Sequence, residues 1–418
     1  FPLELTVIIS KENGFEVDIK EFEKYMEQQR IQSGKKVEMQ NECPFDENIY
    51  THFTGYEEHI TKSRIKTIIV DNKKIKTAKA GTSCYIITEH SPFYVECGGQ
   101  VSDQGYIRFK DKETPLLGLK KIGKAIAAYI ETPVDINLED EVTLIVDTQT
   151  RINTMKNHTA THLLQAALIS IFGKHVKQSG SIVEPDYLRF DFTYHENLTP
   201  EQITLIENIV NKKIMENIPV KIEYTTLKEA TERGVIAFFG EKYNPEEVRI
   251  VQIPGFSAEL CGGTHVKATG DIGTFKIIEV SALSAGNRRI VALTGPKAIE
   301  LYQKTFNIVK SLGQEFKVPS EHVLQSVIKQ KEQLKSTQIK IKELKRQLYK
   351  VKLPTWLNNI EVIKSLPFLY LIIEDAEPQD LQNIAHDLLK EKKAFYFLVA
   401  RQEAGRSMFL ATIAPDIA

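Results

Sequence analysis

The sequence predicts an α+β protein of several domains, on three observations. Between residues 45 and 145, short runs rich in β-branched and aromatic residues alternate with Gly, Asn and Asp. That is the pattern of a small antiparallel β-barrel or sandwich. From residue 150 helical and strand periods are mixed, and from about 296 to 352 the chain turns helical and strongly charged. The 418 residues suffice for roughly two to four domains, and 42% apolar content is ordinary for a globular chain.

The elements follow in order. Leu3–Ile9 reads as an extended stretch, and Val17, Phe22, Tyr25 and Met26 fall at helical spacing after Asp18, a natural N-cap. The chain opens at Phe1 in mid-pattern and reads as a piece of something longer. Strands are expected at Ile65–Val70, Thr82–Thr88, Gly105–Phe109, Lys124–Ile130 and Val142–Val146. A helix should carry Ile152, Met155, Leu163, Ala166, Ala167 and Ile171 on one periodic set and stop at Gly173. Ser181–Val183 and Leu188–Phe192 flank a Pro-Asp turn. Thr199-Pro200-Glu201-Gln202 opens a further helix, with proline at its first position and the spacing of a capping box. Strands are then expected at Val220–Tyr224, Val248–Gln252, Gly273–Ser281 and Arg289–Thr294.

Val327, Leu334, Ile341 and Leu348 repeat every seventh residue, but the companion seam holds Gln330 and Thr337, so a short coiled-coil-like hairpin arm is expected. Pro354 should end it. A last strand–helix–strand–strand unit should use Phe368–Ile373, Asp380–Leu389, Ala394–Val399 and Met408–Ile413. The expected domains are thus 1–44, a β-barrel at 45–149, an α/β-mixed domain at 150–295, the helical arm at 296–353 and a small βαββ unit at 354–418.

Two distant pieces read as halves of one metal site. His158 and His162 sit four apart on the expected helix, which sets their Cβ atoms about 5–6 Å apart on one face. Cys261 and His265 repeat that spacing across Gly262-Gly263, whose small size lets the loop fold tightly. Three imidazoles and a thiolate make a tetrahedral set for a borderline-soft ion, and zinc is the natural candidate. Two packed histidines beside an unrelated turn are the plain alternative; Cys and His sharing a glycine loop argue against it.

The net charge of −1 makes the whole chain no magnet for nucleic acid, so such binding would rest on local patches. Lys62, Arg64, Lys66, Lys73, Lys74, Lys76 and Lys79 form one, opposed by Asp71 alone, and lysines crowd 320–352. Charge runs are commonly just solvated faces. Four cysteines, Cys43, Cys84, Cys97 and Cys261, are too few for a disulfide framework and suit a reducing cytosol. No run is apolar and long enough to span a membrane.

The tracts His158–Leu164, Gln178–Ser181, Phe239–Tyr243 and Cys261–His265 occur in an order that closely resembles the editing domain of the alanyl-tRNA synthetase family. Tyr94–Gln100, with Asp103 and Gly105, is similar to the glycine-rich hairpin of that family's preceding β-barrel. Thr269–Gly273 and Gly286–Ile290 continue the likeness. Phe1–Arg30 is similar to the exit from the aminoacylation and tRNA-recognition region, and the chain's end to the C-terminal domain. The ATP- and Mg2+-using core of the family would lie before Phe1, and the family's glycine-rich C-terminal segment after Ala418.

The resemblance implies hydrolysis of mischarged tRNA(Ala) carrying serine or glycine, within a cytoplasmic alanine–tRNA ligase. One zinc ion is implied on His158, His162, Cys261 and His265, with tRNA(Ala), above all its aminoacylated 3′ end, as partner. Homo-oligomerisation would use the C-terminal region of the longer protein. Thr161 and Gln178 are candidates for reading the substrate hydroxyl and placing water; Gly98, Gly99, Gln100, Arg288 and Arg289 are candidates for contact with substrate or tRNA. A buried ion pair is an equal alternative for one of the arginines. The zinc is structural if all four ligands hold, catalytic if one gives way. Cys97 is a fifth donor by type, expected as a packed free thiol. Three rivals remain: a free-standing trans-editing deacylase sharing 45–295, a non-catalytic zinc-dependent tRNA-binding module, and a zinc protease. The last needs Glu where Thr159 stands.

Overall fold

The computed structural model describes residues 49–237, 243–401 and 407–417, together with positions 18, 19 and 21. The strand expected at Leu3–Ile9 and most of the helix after it lie outside the described residues. Asp18 does accept the Glu21 backbone N–H at 2.9 Å, as an N-cap does. The chain divides into two compact units, residues 1–303 and 304–418, and the α+β class holds in each.

The first unit opens with an eight-stranded antiparallel sheet. Its order is Lys112–Pro115, Gly105–Phe109, Glu141–Val146, Ile60–Val70, Ser83–Thr88, Ala125–Glu131 and Gly118–Ile122, with Lys73–Ile75 hairpinned onto Ile60–Val70. Alternation sets its faces: Thr61, Ser63, Ile65 and Thr67 point inward while Lys62, Arg64 and Lys66 face out. Ile65, Ile86, Ile107, Ile130 and Leu144 fill the space inside. The sheet curls: Thr114 Oγ1 donates to Glu131 O at 2.8 Å, and Leu117 N to Tyr129 O at 2.9 Å.

Helix α1 (Thr148–Phe172) follows, capped by the Asp147 carboxylate on Thr150 N at 3.1 Å and ended at Gly173 with φ 99°. Gly173 is the stop the sequence predicts, because only glycine takes that backbone angle readily. α1 packs on a four-stranded sheet ordered Gln178–Val183, Leu188–Thr193, Asn287–Thr294, Phe275–Ser284. Helix α2 (Pro200–Met215) starts with the expected capping box, Thr199 Oγ1 accepting Gln202 N and Gln202 Oε1 accepting Thr199 N. Leu163, Leu164, Ala167, Phe190, Phe192, Ile206, Val210 and Phe275 share one buried core. Truncating any of those phenylalanines to alanine costs about 3–5 kcal/mol. A second sheet, Lys221–Thr225, Val248–Ile253 and Ser257–Leu260, has the short helix α3 (Leu227–Glu232) beside it. Its last strand is one the sequence pattern misses.

Helix α4 (Gly295–Phe316) runs through residues 303 and 304, where the units divide. In the second unit helix α5 (Val323–Asn358) continues through Pro354, which does not end it. Proline deletes one backbone donor near the helix end, and Leu353, Trp356 and Leu357 offset that by packing on the core of Leu369, Leu371, Ile384 and Leu398. The residues of the seven-residue seam, Val327, Leu334, Ile341 and Leu348, are 40, 60, 49 and 49% accessible in the single chain. The terminal sheet, Glu361–Ile363, Leu366–Glu374, Phe395–Arg401 and Ser407–Ile413, carries helix α6 (Pro378–Glu391) between its parallel pair. It is the expected strand–helix–strand–strand unit with one short strand added in front. Among the described residues, no helix is long and apolar enough to cross a membrane.

Candidate metal centre

α1 brings His158 and His162 to one face with ring centroids 5.4 Å apart, and the loop after Ser257–Leu260 brings His265 to 4.3 and 4.8 Å from them. One ligand atom each from His158, His162, Cys261 and His265 lies within 4.8 Å of the others. Cys261 Sγ stands 3.4 Å from His158 Nε2 and 3.3 Å from His265 Nε2. The two sulfur–nitrogen distances come near the roughly 3.6 Å edge of a tetrahedron with zinc–nitrogen and zinc–sulfur bond lengths, within a set whose ligand atoms spread up to 4.8 Å. Three imidazoles and a thiol gathered in this way are a donor set that can hold a metal ion.

The loop sits this close because position 263 has no side chain. A Cβ at Gly263 would lie 2.1 Å from His158 Cε1 and 2.8 Å from Gln100 Oε1. Arg249 holds the loop from behind, donating to Cys261 O at 2.7 Å and Gly263 O at 2.9 Å. Its guanidinium lies 4.1 Å over the Tyr56 ring, and Tyr56 donates to Gly262 O at 2.7 Å.

Each histidine has an oxygen behind it. His158 Nδ1 lies 2.7 Å from Gln100 Oε1, His265 Nδ1 3.1 Å from Thr159 Oγ1, and His162 Nδ1 3.3 Å from Glu259 Oε2. The Gln100 amide oxygen, an acceptor only, places the ring proton of His158 on Nδ1 and leaves its Nε2 free to ligate; the Thr159 hydroxyl can donate or accept at His265, and His162 Nδ1 and Glu259 Oε2 face each other without a hydrogen bond. Burial pushes all three imidazoles below their ordinary range, His162 to about 3, and Arg249 adds to this. They are neutral at physiological pH, the form a metal needs. Burial pushes Glu259 the other way, up to about 8.

Beside the donors is a 40 Å3 chamber lined by Tyr94, Gly98, Thr161, Gln178, Ser181 and Glu259. Thr161 and Gln178 thus stand at the donor cluster, where the sequence reading puts them. The Thr161 hydroxyl donates to Asn157 O at 2.9 Å, leaving its lone pairs. Gln178 Nε2 donates to Ser181 Oγ at 3.2 Å, beside a β-bulge at Gln178/Gly180 that re-aims the strand.

Residues 248–291, which hold Arg249, Glu259 and the Cys261–His265 loop, match the family model for the threonyl and alanyl tRNA synthetase second additional domain. Residues 1–150 match the model for class II (A) tRNA synthetases. The alanine–tRNA ligase of Fervidobacterium nodosum is 36% identical over 418 residues, covering 96% of this chain and 47% of its own length. That of Carboxydothermus hydrogenoformans is 38% identical over 425 residues, covering 99% of this chain and 48% of its own. The chain belongs to the alanyl-tRNA synthetase family. It spans about half the length of the curated relatives it matches.

The other residues that the family resemblance singles out fall in different places. Gln100 is fully buried: it takes Thr264 N at 2.9 Å, donates to Thr264 Oγ1 at 2.9 Å and backs His158. Gly98 and Gly99, at φ 58° and 83°, turn the chain between Cys97 and Gln100, which exchange backbone hydrogen bonds. Cys97 is exposed, not packed, and lies outside the donor cluster; the positive-φ turn swings it outward. Arg288 binds backbone carbonyls of His195 and Glu196, and Arg289 pairs with Asp191 through Nε at 2.7 Å and Nη2 at 2.9 Å. Of the tract Phe239–Tyr243 only Tyr243 is among the described residues. In the lysine patch, Lys66 meets Glu139 at 3.1 Å and Lys79 meets Asp135 at 2.7 Å, so part of its charge is answered locally.

Sequence reasoning misses Glu259, Arg249 and the role of Thr159. A carboxylate in the buried strand Ser257–Leu260, two residues before Cys261, is the signal that points to the first.

Proposed function

We propose that this chain is the editing part of an alanine–tRNA ligase and hydrolyses the ester of tRNA(Ala) mischarged with serine or glycine. One observation carries the reading: Thr161 and Gln178 line the same small chamber as His158, His162 and Cys261. Hydroxyl and amide groups on its wall suit a serine hydroxyl. A site built to hydrogen-bond a hydroxyl rejects the analogue lacking it far more strongly than an apolar pocket can reject an added one. Alanine esters are then spared.

His158, His162, Cys261 and His265 would hold one zinc ion, which when bound supplies a Lewis-acidic centre next to the ester. Gln178 and Thr161 position the attacking water, and Gln100 and Thr159 keep the His158 and His265 rings turned toward the ion. The curled sheet serves as the β-barrel of the editing region and Asn287–Thr294, with Arg288 and Arg289, as a wall stiffened by its ion pair. In the longer cytoplasmic protein a separate core would use ATP and Mg2+ to attach alanine, with oligomer contacts near the C-terminus. The free-standing deacylase is the less favoured alternative.

The test is ester loss from seryl- and alanyl-tRNA(Ala) with and without a chelator, for wild type, Gln178→Ala and Cys261→Ala. Loss of seryl ester only, slowed at least a hundredfold in Cys261→Ala, is expected. Wild-type rates in Cys261→Ala would remove the metal from the chemistry.

A further inference from the structure

The chamber beside the four donors measures 40 Å3, small beside the roughly 300–1,000 Å3 usual for ligand sites. On the ester-hydrolysis reading, on which this inference rests, the ribonucleotides joined to the aminoacyl group need an adjoining space. One exists. A groove of 670 Å3 shares Tyr94, Cys97 and Gly262 with the chamber, so the two run together along the Cys261–Gly262 lip. Its size falls within that usual range.

The lining suits single-stranded RNA. Tyr50, Tyr56 and Tyr224 all reach it, and they are 60, 41 and 54% exposed. Three tyrosines open to solvent in one groove offer flat faces on which any base can stack. Tyr56 is held rigid by its bond to Gly262 O and by Arg249 over its ring. Lys121 and Lys124, both exposed, enter from the end of the curled sheet, against one carboxylate, Glu247. Cations beside aromatic faces answer the alternation of phosphate and base along a strand.

We propose that this groove seats the unpaired 3′ ribonucleotides of the tRNA acceptor. Bases stack on Tyr50 and Tyr224, phosphates lie toward Lys121 and Lys124, and the terminal ribose rests at the Gly262 lip with its ester in the chamber.

The probe is the unacylated tetraribonucleotide ACCA, titrated against the full chain by fluorescence anisotropy. Tyr50→Ala and Tyr224→Ala should each weaken binding about tenfold, while Tyr50→Phe and Tyr224→Phe keep it. Lys121→Ala with Lys124→Ala should make the salt dependence shallower by one to two powers. On a seryl-charged minihelix the alanine variants should raise KM more than they lower kcat. Alanine variants that bind ACCA as tightly as wild type overturn the proposal, as does a wild-type chain that does not bind it. Tyrosine-dependent ACCA binding without any ester loss keeps the groove and sinks the hydrolysis reading; ester loss with tyrosine-independent binding does the reverse.

Discussion

Gln100 Oε1 lies 2.7 Å from His158 Nδ1, and across the same ring Nε2 faces Cys261 Sγ at 3.4 Å. Gln100, from the segment after the sheet's early strands, thereby sets which nitrogen of a helix histidine faces the other donors. The same amide oxygen also takes Thr264 N, so one buried side chain fixes both halves of the donor set. The site is assembled only when sheet, helix and loop are all in place.

Gln100→Leu, close in size, removes that oxygen and leaves the core filled. Partners of ligating histidines are worth about 10–100-fold in metal affinity. Zinc affinity, read by competition with a chromophoric chelator, should fall within that range. An unchanged affinity would show that His158 keeps its tautomer without Gln100.

Glu259 Oε2 stands 3.3 Å behind His162 Nδ1 without a hydrogen bond, and its other oxygen, Oε1, takes the Ser257 hydroxyl at 2.8 Å. Glu259→Gln keeps an oxygen there; Glu259→Ala does not. We expect the alanine variant to lose zinc affinity by tenfold or more and the glutamine variant by threefold or less. Equal losses in the two would mean that an oxygen at this place does not matter to the metal site.

How much of this was legible in the chain? The four donors were, because His-x-x-x-His on a helix and Cys-x-x-x-His on a glycine loop are local patterns. So were Gly173 as a stop and the Thr199–Gln202 box, which act within one turn. Gln100 was noticed but placed at the substrate, since its partners lie 58 and 164 residues away and no local pattern records such pairs. Arg289 was offered to tRNA or to an ion pair, and Asp191, 98 residues distant, takes it. Pro354 misled because a proline's cost is local whereas the packing of Trp356 and Leu357 that outweighs it is tertiary.

Acid should destabilise the metal-free protein. Burial keeps His158, His162 and His265 unprotonated when folded, His162 down to about 3, whereas an unfolded histidine takes its proton near 6.5. Below 6.5 the unfolded chain binds more protons, so this stability is complete above that pH and drains away as pH falls. Glu259, at about 8 against an ordinary 4.5, acts oppositely, losing stability as pH rises between those values. Three protons outweigh one, so net loss is expected from pH 6.5 to 4.5. His162→Gln should reduce the slope by about 1.4 kcal/mol per pH unit. Urea unfolding of chelator-treated protein at several pH values measures it, and identical slopes would refute the burial argument.

The last prediction concerns the buried pair that holds the Gln100 segment in place. Arg151, 1% exposed, donates through Nε to Asp103 Oδ1 at 2.7 Å, through Nη1 to Gly55 O at 2.6 Å and through Nη2 to Pro92 O at 2.8 Å. Asp103 also takes Tyr94 N, at the start of the turn that presents Gln100. Removing one partner strands the other charge in the interior, at a cost of about 3–5 kcal/mol. Asp103→Leu should therefore lower stability by that amount in urea unfolding and weaken zinc binding as the Gln100 turn loosens. Combining it with Arg151→Met, which leaves no stranded charge, should recover much of the stability but not the zinc affinity. Recovery of both would mean that the ion pair only fills space and that the turn is held by something else.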